Sequence, residues 1–113
     1  MELYSCPPLQ YGPFAPRLIY LRTMIGAMEM VKKGITCVQD DVSECPKATV
    51  EGYDQVFQAY KDVGLKGNIA VNMGDRKFMD KLPYTRECIP AKYHELLSSH
   101  PDPEEMIEIY EEV

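Results

Sequence analysis

The sequence predicts an α/β fold in which two parallel strands are joined through a helix. An amphipathic helical pattern, a glycine and a short β-branched run occur in that order twice, at Gly34 and again at Gly64, thirty residues on. That period is the size of one strand plus its crossover helix, and strands joined this way run parallel with a right-handed crossover. Neither run alternates cleanly between apolar and polar residues, which predicts strands covered on both faces. The length of 113 residues allows one small domain, and 45% hydrophobic with 27% charged residues is an ordinary globular balance.

Residues 1–15 read as a leading loop, in which Pro7, Pro8, Tyr11, Gly12 and Pro13 suit either a mobile lid or a surface linker. A first helix follows over Pro16–Lys33. Pro16 fits its first turn, Leu18, Leu21, Ile25 and Met28 recur at steps of three and four, and Met24 and Val31 widen the stripe. Lys32 and Lys33 oppose the negative end of the helix dipole, and Gly34 is a stop signal. Ile35–Asp40 reads as a strand and Asp41–Lys47 as a loop. The second helix carries Val50, Tyr53, Val56, Phe57, Tyr60 and Val63 on one face, stops at Gly64 and passes into a second strand over Leu65–Asn72. Residues 16–75 thus form a helix–strand–helix–strand core.

Residues 76–113 are more helical. Leu82-Pro83-Tyr84 reads as loop, and Pro90 opens a short helix with Tyr93, Leu96 and Leu97. Asp102-Pro103-Glu104-Glu105 sets a cap, a first-turn proline and acidic residues in the order that starts a helix. Met106, Ile109, Tyr110 and Val113 supply the apolar stripe of that last helix. It has no stop signal, and two strands with open edges make a poor sheet. These features predict a piece of a larger α/β protein that self-associates through sheet edges or uncovered helix faces.

The net charge of −6 is local. Residues 1–100 balance, and the last 13 hold Asp102, Glu104, Glu105, Glu108, Glu111 and Glu112 and include no Lys or Arg. Such a run is usually the solvated side of a helix, although it also suits a basic partner. No basic stripe interleaved with aromatics suggests nucleic acid. No run of the ~18 to 20 apolar residues needed for a membrane span occurs, and Met1–Pro8 lacks the basic start and apolar run of a signal peptide. The expectation is a cytoplasmic protein with no membrane and no nucleic-acid partner. Cys6, Cys37, Cys45 and Cys88 lack zinc-site spacing, as do His94 and His100. Reduced thiols are therefore expected, with Cys37 packed as a small hydrophobe.

The segment Met24–Asp40, with its Gly34-Ile35-Thr36-Cys37-Val38-Gln39-Asp40 phrase, resembles the amidohydrolase superfamily. The similar branch holds cytosine and guanine deaminase-like enzymes, adenosine-type deaminases and triazine chlorohydrolases. Ala59–Lys66 resembles that family's approach to its third strand, and the likeness covers Leu18–Asp75. It implies a partial (β/α)8 TIM barrel: about two βα units plus flanking helices of a parent of ~250 residues or more. It also implies a divalent metal, zinc or iron, in the parent, where it activates water against an amidine or halogenated ring carbon of a small-molecule substrate. The family's ligands are a His-x-His on the first strand, histidines on the fifth and sixth, and an aspartate on the eighth. None matches a position here, so no catalytic or metal residue is assigned and the chain is expected to hold no cofactor itself.

Barrel active sites form at the C-terminal ends of strands, which makes Asp40, Asp41, Asn72 and Met73 the candidates for lining a substrate pocket. Asp40 also suits a structural carboxylate bonded to nearby backbone, and Met73 suits packing. The leading functional expectation is a piece of a metal-dependent hydrolase of C–N or C–Cl bonds, inactive by itself. A non-catalytic α/β interaction protein that self-associates is the alternative, and a thiol enzyme using Cys37 or Cys45 a third.

Overall fold

A computed structural model describes residues 14–44, 48–72, 76, 78–81, 83–98 and 102–113. Helix α1 (Pro16–Lys32) begins with Pro16 in its first turn. It ends on Gly34 at φ 81°, with Gly34 N–H bonded to Val31 O at 2.9 Å and Ile35 N–H to Met30 O at 3.0 Å. Helix α2 (Val50–Val63) ends the same way, with Gly64 at φ 79° and bonds from Gly64 N–H to Lys61 O and Leu65 N–H to Tyr60 O. Both ends are Schellman motifs, in which glycine takes a left-handed conformation that side chains oppose. The Thr49 hydroxyl accepts from Gly52 N–H and caps the start of α2.

Strands β1 (Cys37–Val42) and β2 (Lys66–Val71) pair in parallel, from Cys37 opposite Lys66 to Val42 opposite Val71. They are the two strands of the sheet, and α2 connects them. The mixed α/β class and the parallel pair agree with the sequence reading. β1 lies two residues later than expected, so Asp41 and Val42 are strand and not loop.

The core centres on Tyr53 and Val56 of α2, with Ile19, Ala27, Val42, Ala48, Leu65, Met106 and Ile109 around them. α1 and α2 lie side by side. A Cβ on Gly52 would come within 3.1 Å of Ile19 Cδ1, so small residues let the helices close up. Tyr20 of α1 donates to Asp62 Oδ2 of α2 at 2.7 Å, and Gln58 Nε2 donates to Asp62 Oδ1.

Several expectations are corrected. Leu18, Leu21, Ile25 and Met28 were expected to face the core but are exposed, Ile25 by 62%. The core face of α1 is the one with Ile19, Ala27 and Met30, because Ala27 permits close approach to α2 whereas the larger stripe does not. The strands are covered on one face only: along β1, Val38, Asp40 and Val42 are sheltered while Cys37, Gln39 and Asp41 are exposed. Cys37 is therefore not a packed core residue. In α2, Phe57 also stays outside the core.

The C-terminal part holds the one-turn helices α3 (Phe78–Lys81) and α4 (Thr85–Cys88), a 3-10 turn at Ala91–Tyr93, and α5 (His94–Ser98). α3 packs against both α4 and α5. Helix α6 (Pro103–Glu112) starts as expected, with the Asp102 carboxylate accepting from Glu104 N–H at 3.1 Å. It returns Met106 and Ile109 to the core, while Tyr110 and Val113 remain exposed. No helix among the described residues is long and apolar enough to cross a membrane.

Candidate functional site

The C-terminal ends of β1 and β2 bring the candidate residues into one region but divide them between two faces. Successive side chains of a strand point to opposite faces. Asp41 accordingly lies on the bare face with Gln39 and Cys37, and Asp40 lies on the helix face. Asn72 follows β2 and continues the ladder, its N–H donating to Val42 O at 3.3 Å. The same alternation puts Asn72 on the Asp41 side, since Ile69 and Val71 are the sheltered residues of β2. Met73 lies outside the described residues, as do Cys6, Cys45, His100 and the loop over residues 1–13.

On the helix face a cleft of about 250 Å³ opens between α1, α2 and the end of β1. Arg22 and Met30 come from α1, Tyr60 and Val56 from α2, and Asp40 and Glu44 from β1 and the residues after it. Arg22 pairs with Glu44, whose side chain is 4% exposed. The Arg22 guanidinium also lies 5.6 Å from the centroid of the Phe14 ring. The Tyr60 hydroxyl donates to Asp40 Oδ2 at 2.7 Å, and the Tyr53 hydroxyl donates to Val42 O at 3.2 Å. At this cleft, which Asp41 also borders, Asp40 and Glu44 are thus each engaged by a neighbour, which suits a joint between helix layer and sheet.

Electrostatics agree with that role. Burial, and then the bond to Asp40 and its negative charge, hold the Tyr60 phenol well above its ordinary pKa. Burial first and the Glu44 charge second push Tyr53 up to about 12. Both phenols are kept neutral as donors.

Tyr60, Arg22 and Glu44 were not singled out by the sequence reading. The spacing of Tyr60 places it on the apolar stripe of α2, but a sheltered tyrosine needs a partner for its hydroxyl, and an aspartate at a strand end is the signal that identifies one. The candidate thiol, Cys37, stands at the opposite end of β1 from Asp41. His94 bonds through Nε2 to Ile89 O at 2.7 Å in the C-terminal part. Among the described residues no group of three or more His, Cys, Asp or Glu side chains could hold a metal ion. These residues do not fit the metal that the amidohydrolase likeness implies.

Comparison of the chain with protein-family models, with curated proteins and with solved structures finds no match.

Proposed function

We propose that residues 16–75 form two consecutive units in the wall of a (β/α)8 barrel of the amidohydrolase kind. Its parent is a metal-dependent hydrolase of C–N or C–Cl bonds in a small molecule, and this chain is inactive by itself. The observation that carries the reading is one-sided cover. α1 and α2 both meet β1 at the cleft on its helix face, and the residues of the opposite face are exposed. A barrel wall has this form, with helices outside and the inner face turned to the axis. An open doubly wound sheet carries helices on both faces.

In this reading Asp41 and Asn72 line the substrate side at the strand ends, and Asp40 is a structural carboxylate held by Tyr60. The metal ligands belong to strands other than β1 and β2, so no chemical step is routed through the residues described. Two measurements test the proposal. The purified chain, incubated with zinc or iron(II) and dialysed, retains well below one equivalent; tight one-to-one retention overturns the ligand assignment. The reading frame around the chain encodes a His-x-His before it and histidine-bearing strands after it; flanks without them defeat the hydrolase reading.

A non-catalytic, self-associating α/β module is the second reading, favoured by the exposed apolar stripe of α1. Cooperative unfolding together with flanks that encode no barrel would select it.

A further inference from the structure

We infer that the chain forms a two-fold dimer in which the outer face of α1 packs on the outer face of α6 of a second copy, and reciprocally. Leu18, Leu21, Ile25 and Met28 follow the three-four spacing by which one helix seats against another, and all four are exposed. They span about 15 Å of helix. Exposed Arg17, Lys32 and Lys33 border this stripe, and Arg22 is held by Glu44. α1 carries a single acid, Glu29, which lies 3.8 Å from Lys32 in an exposed pair.

α6 has the complementary surface. Met106 and Ile109 point into the chain's own core, which leaves Ile107 and Tyr110 exposed. Glu104, Glu108 and Glu111 are exposed on the same helix, at steps of four and three that align them on one side. No basic residue occurs after residue 100. Each helix therefore offers exposed apolar side chains, and the net charge at its border is opposite in sign to the other's. Pairing α1 with α1 sets two net-positive helices together, and pairing α6 with α6 two acidic ones. Both arrangements bring like charges together.

The second copy is also the occupant that symmetry favours. One contact of a few side chains is small beside the roughly 800 Å² per partner of a standard interface. Two-fold symmetry makes the α1–α6 contact twice and closes the assembly. This inference stands on the surfaces of α1 and α6 and not on the hydrolase reading, which a monomeric chain would leave intact.

Sedimentation equilibrium of the full chain tests it. The unaltered chain is expected to be a dimer that weakens as salt rises. One variant carries Arg17→Glu and Lys32→Glu, the other Glu108→Lys and Glu111→Lys. All four positions are exposed, and circular dichroism checks that each variant stays folded. Each variant alone is expected to dissociate at least ~10-fold more readily, a loss of about 1.4 kcal/mol. An equimolar mixture is expected to recover a one-to-one heterodimer, because each reversed helix then meets its opposite. Ile25→Gln removes the apolar centre without touching charge and is expected to give monomer. A monomeric unaltered chain, an α6 variant that dimerises as well as the unaltered chain, or a mixture that stays monomeric would each overturn the inference.

Discussion

The Tyr60 hydroxyl of α2 donates to Asp40 Oδ2 of β1 at 2.7 Å, and the Tyr60 ring reaches that position by lying over Gly67 of β2. A Cβ added at Gly67 would stand 3.0 Å from Tyr60 Cδ2. Glycine inside a strand ordinarily weakens it; here the missing side chain makes room for the ring. One contact therefore joins the crossover helix to both strands it connects.

Removing the hydroxyl should be felt in stability. Tyr60→Phe leaves a half-buried carboxylate without its donor and is expected to cost about 1.5 kcal/mol. Urea unfolding should show a lower midpoint with an unchanged slope. Asp40→Asn keeps an acceptor oxygen and should cost less. A Tyr60→Phe midpoint equal to that of the unaltered chain would mean that Asp40 is served by water.

Alkaline pH should act through the same residues. Tyr53 and Tyr60 both have folded pKa values above the ordinary 10, chiefly from burial. In the window above pH 10 the folded state holds protons that the unfolded state has released, so unfolding free energy falls as pH rises. Their stabilisation is complete below pH 10 and is lost as pH climbs through the raised values. Of the eight tyrosines in the chain, at least two should form tyrosinate late, together with unfolding, when followed by ultraviolet absorbance.

The two ends of α2 offer independent tests of local structure. Gly64→Ala forces a side chain into φ 79° and should cost about 1 kcal/mol. Thr49→Ala removes the cap on Gly52 N–H and should also cost about 1 kcal/mol. Separated by the length of the helix, the two effects should add in the double variant. A Gly64→Ala protein of unchanged stability would contradict the left-handed helix end.

Thiol labelling reads the bare face directly. Cys37 and Cys88 are both exposed, so each should react with a small maleimide in the folded chain without a prior unfolding step. Protection of Cys37 that disappears in denaturant would show that its face of the sheet is covered in solution.

Much of the chain was legible before its structure because local chemistry determined it. The proline starts at Pro16 and Pro103, the glycine stops at Gly34 and Gly64, and the Asp102 cap each concern a few adjacent residues, and each forms where expected. The face of α1 was not legible in this way. Leu18, Leu21, Ile25 and Met28 make the more apolar stripe, but the choice of core face turned on whether Ala27 and Gly52 let two helices approach, which is a property of the pair. The ends of β1 were misjudged for a similar reason, since Ile35 and Thr36 have strand-like side chains whereas Asp41 gains its place from pairing with Ala70. Asp41 and Asn72 were recognised as strand-end residues. The separation of Asp40 from Asp41 followed only once the strand register showed which of them turns toward Tyr60.

Among the described residues each strand of the parallel pair has one neighbour, which leaves every second N–H of each strand directed away from its partner. In deuterated solvent, adjacent amides of β1 and β2 should therefore exchange at alternating fast and slow rates. A third strand docking along either border would slow the fast set on that side alone, so the exchange pattern would record which border had been occupied.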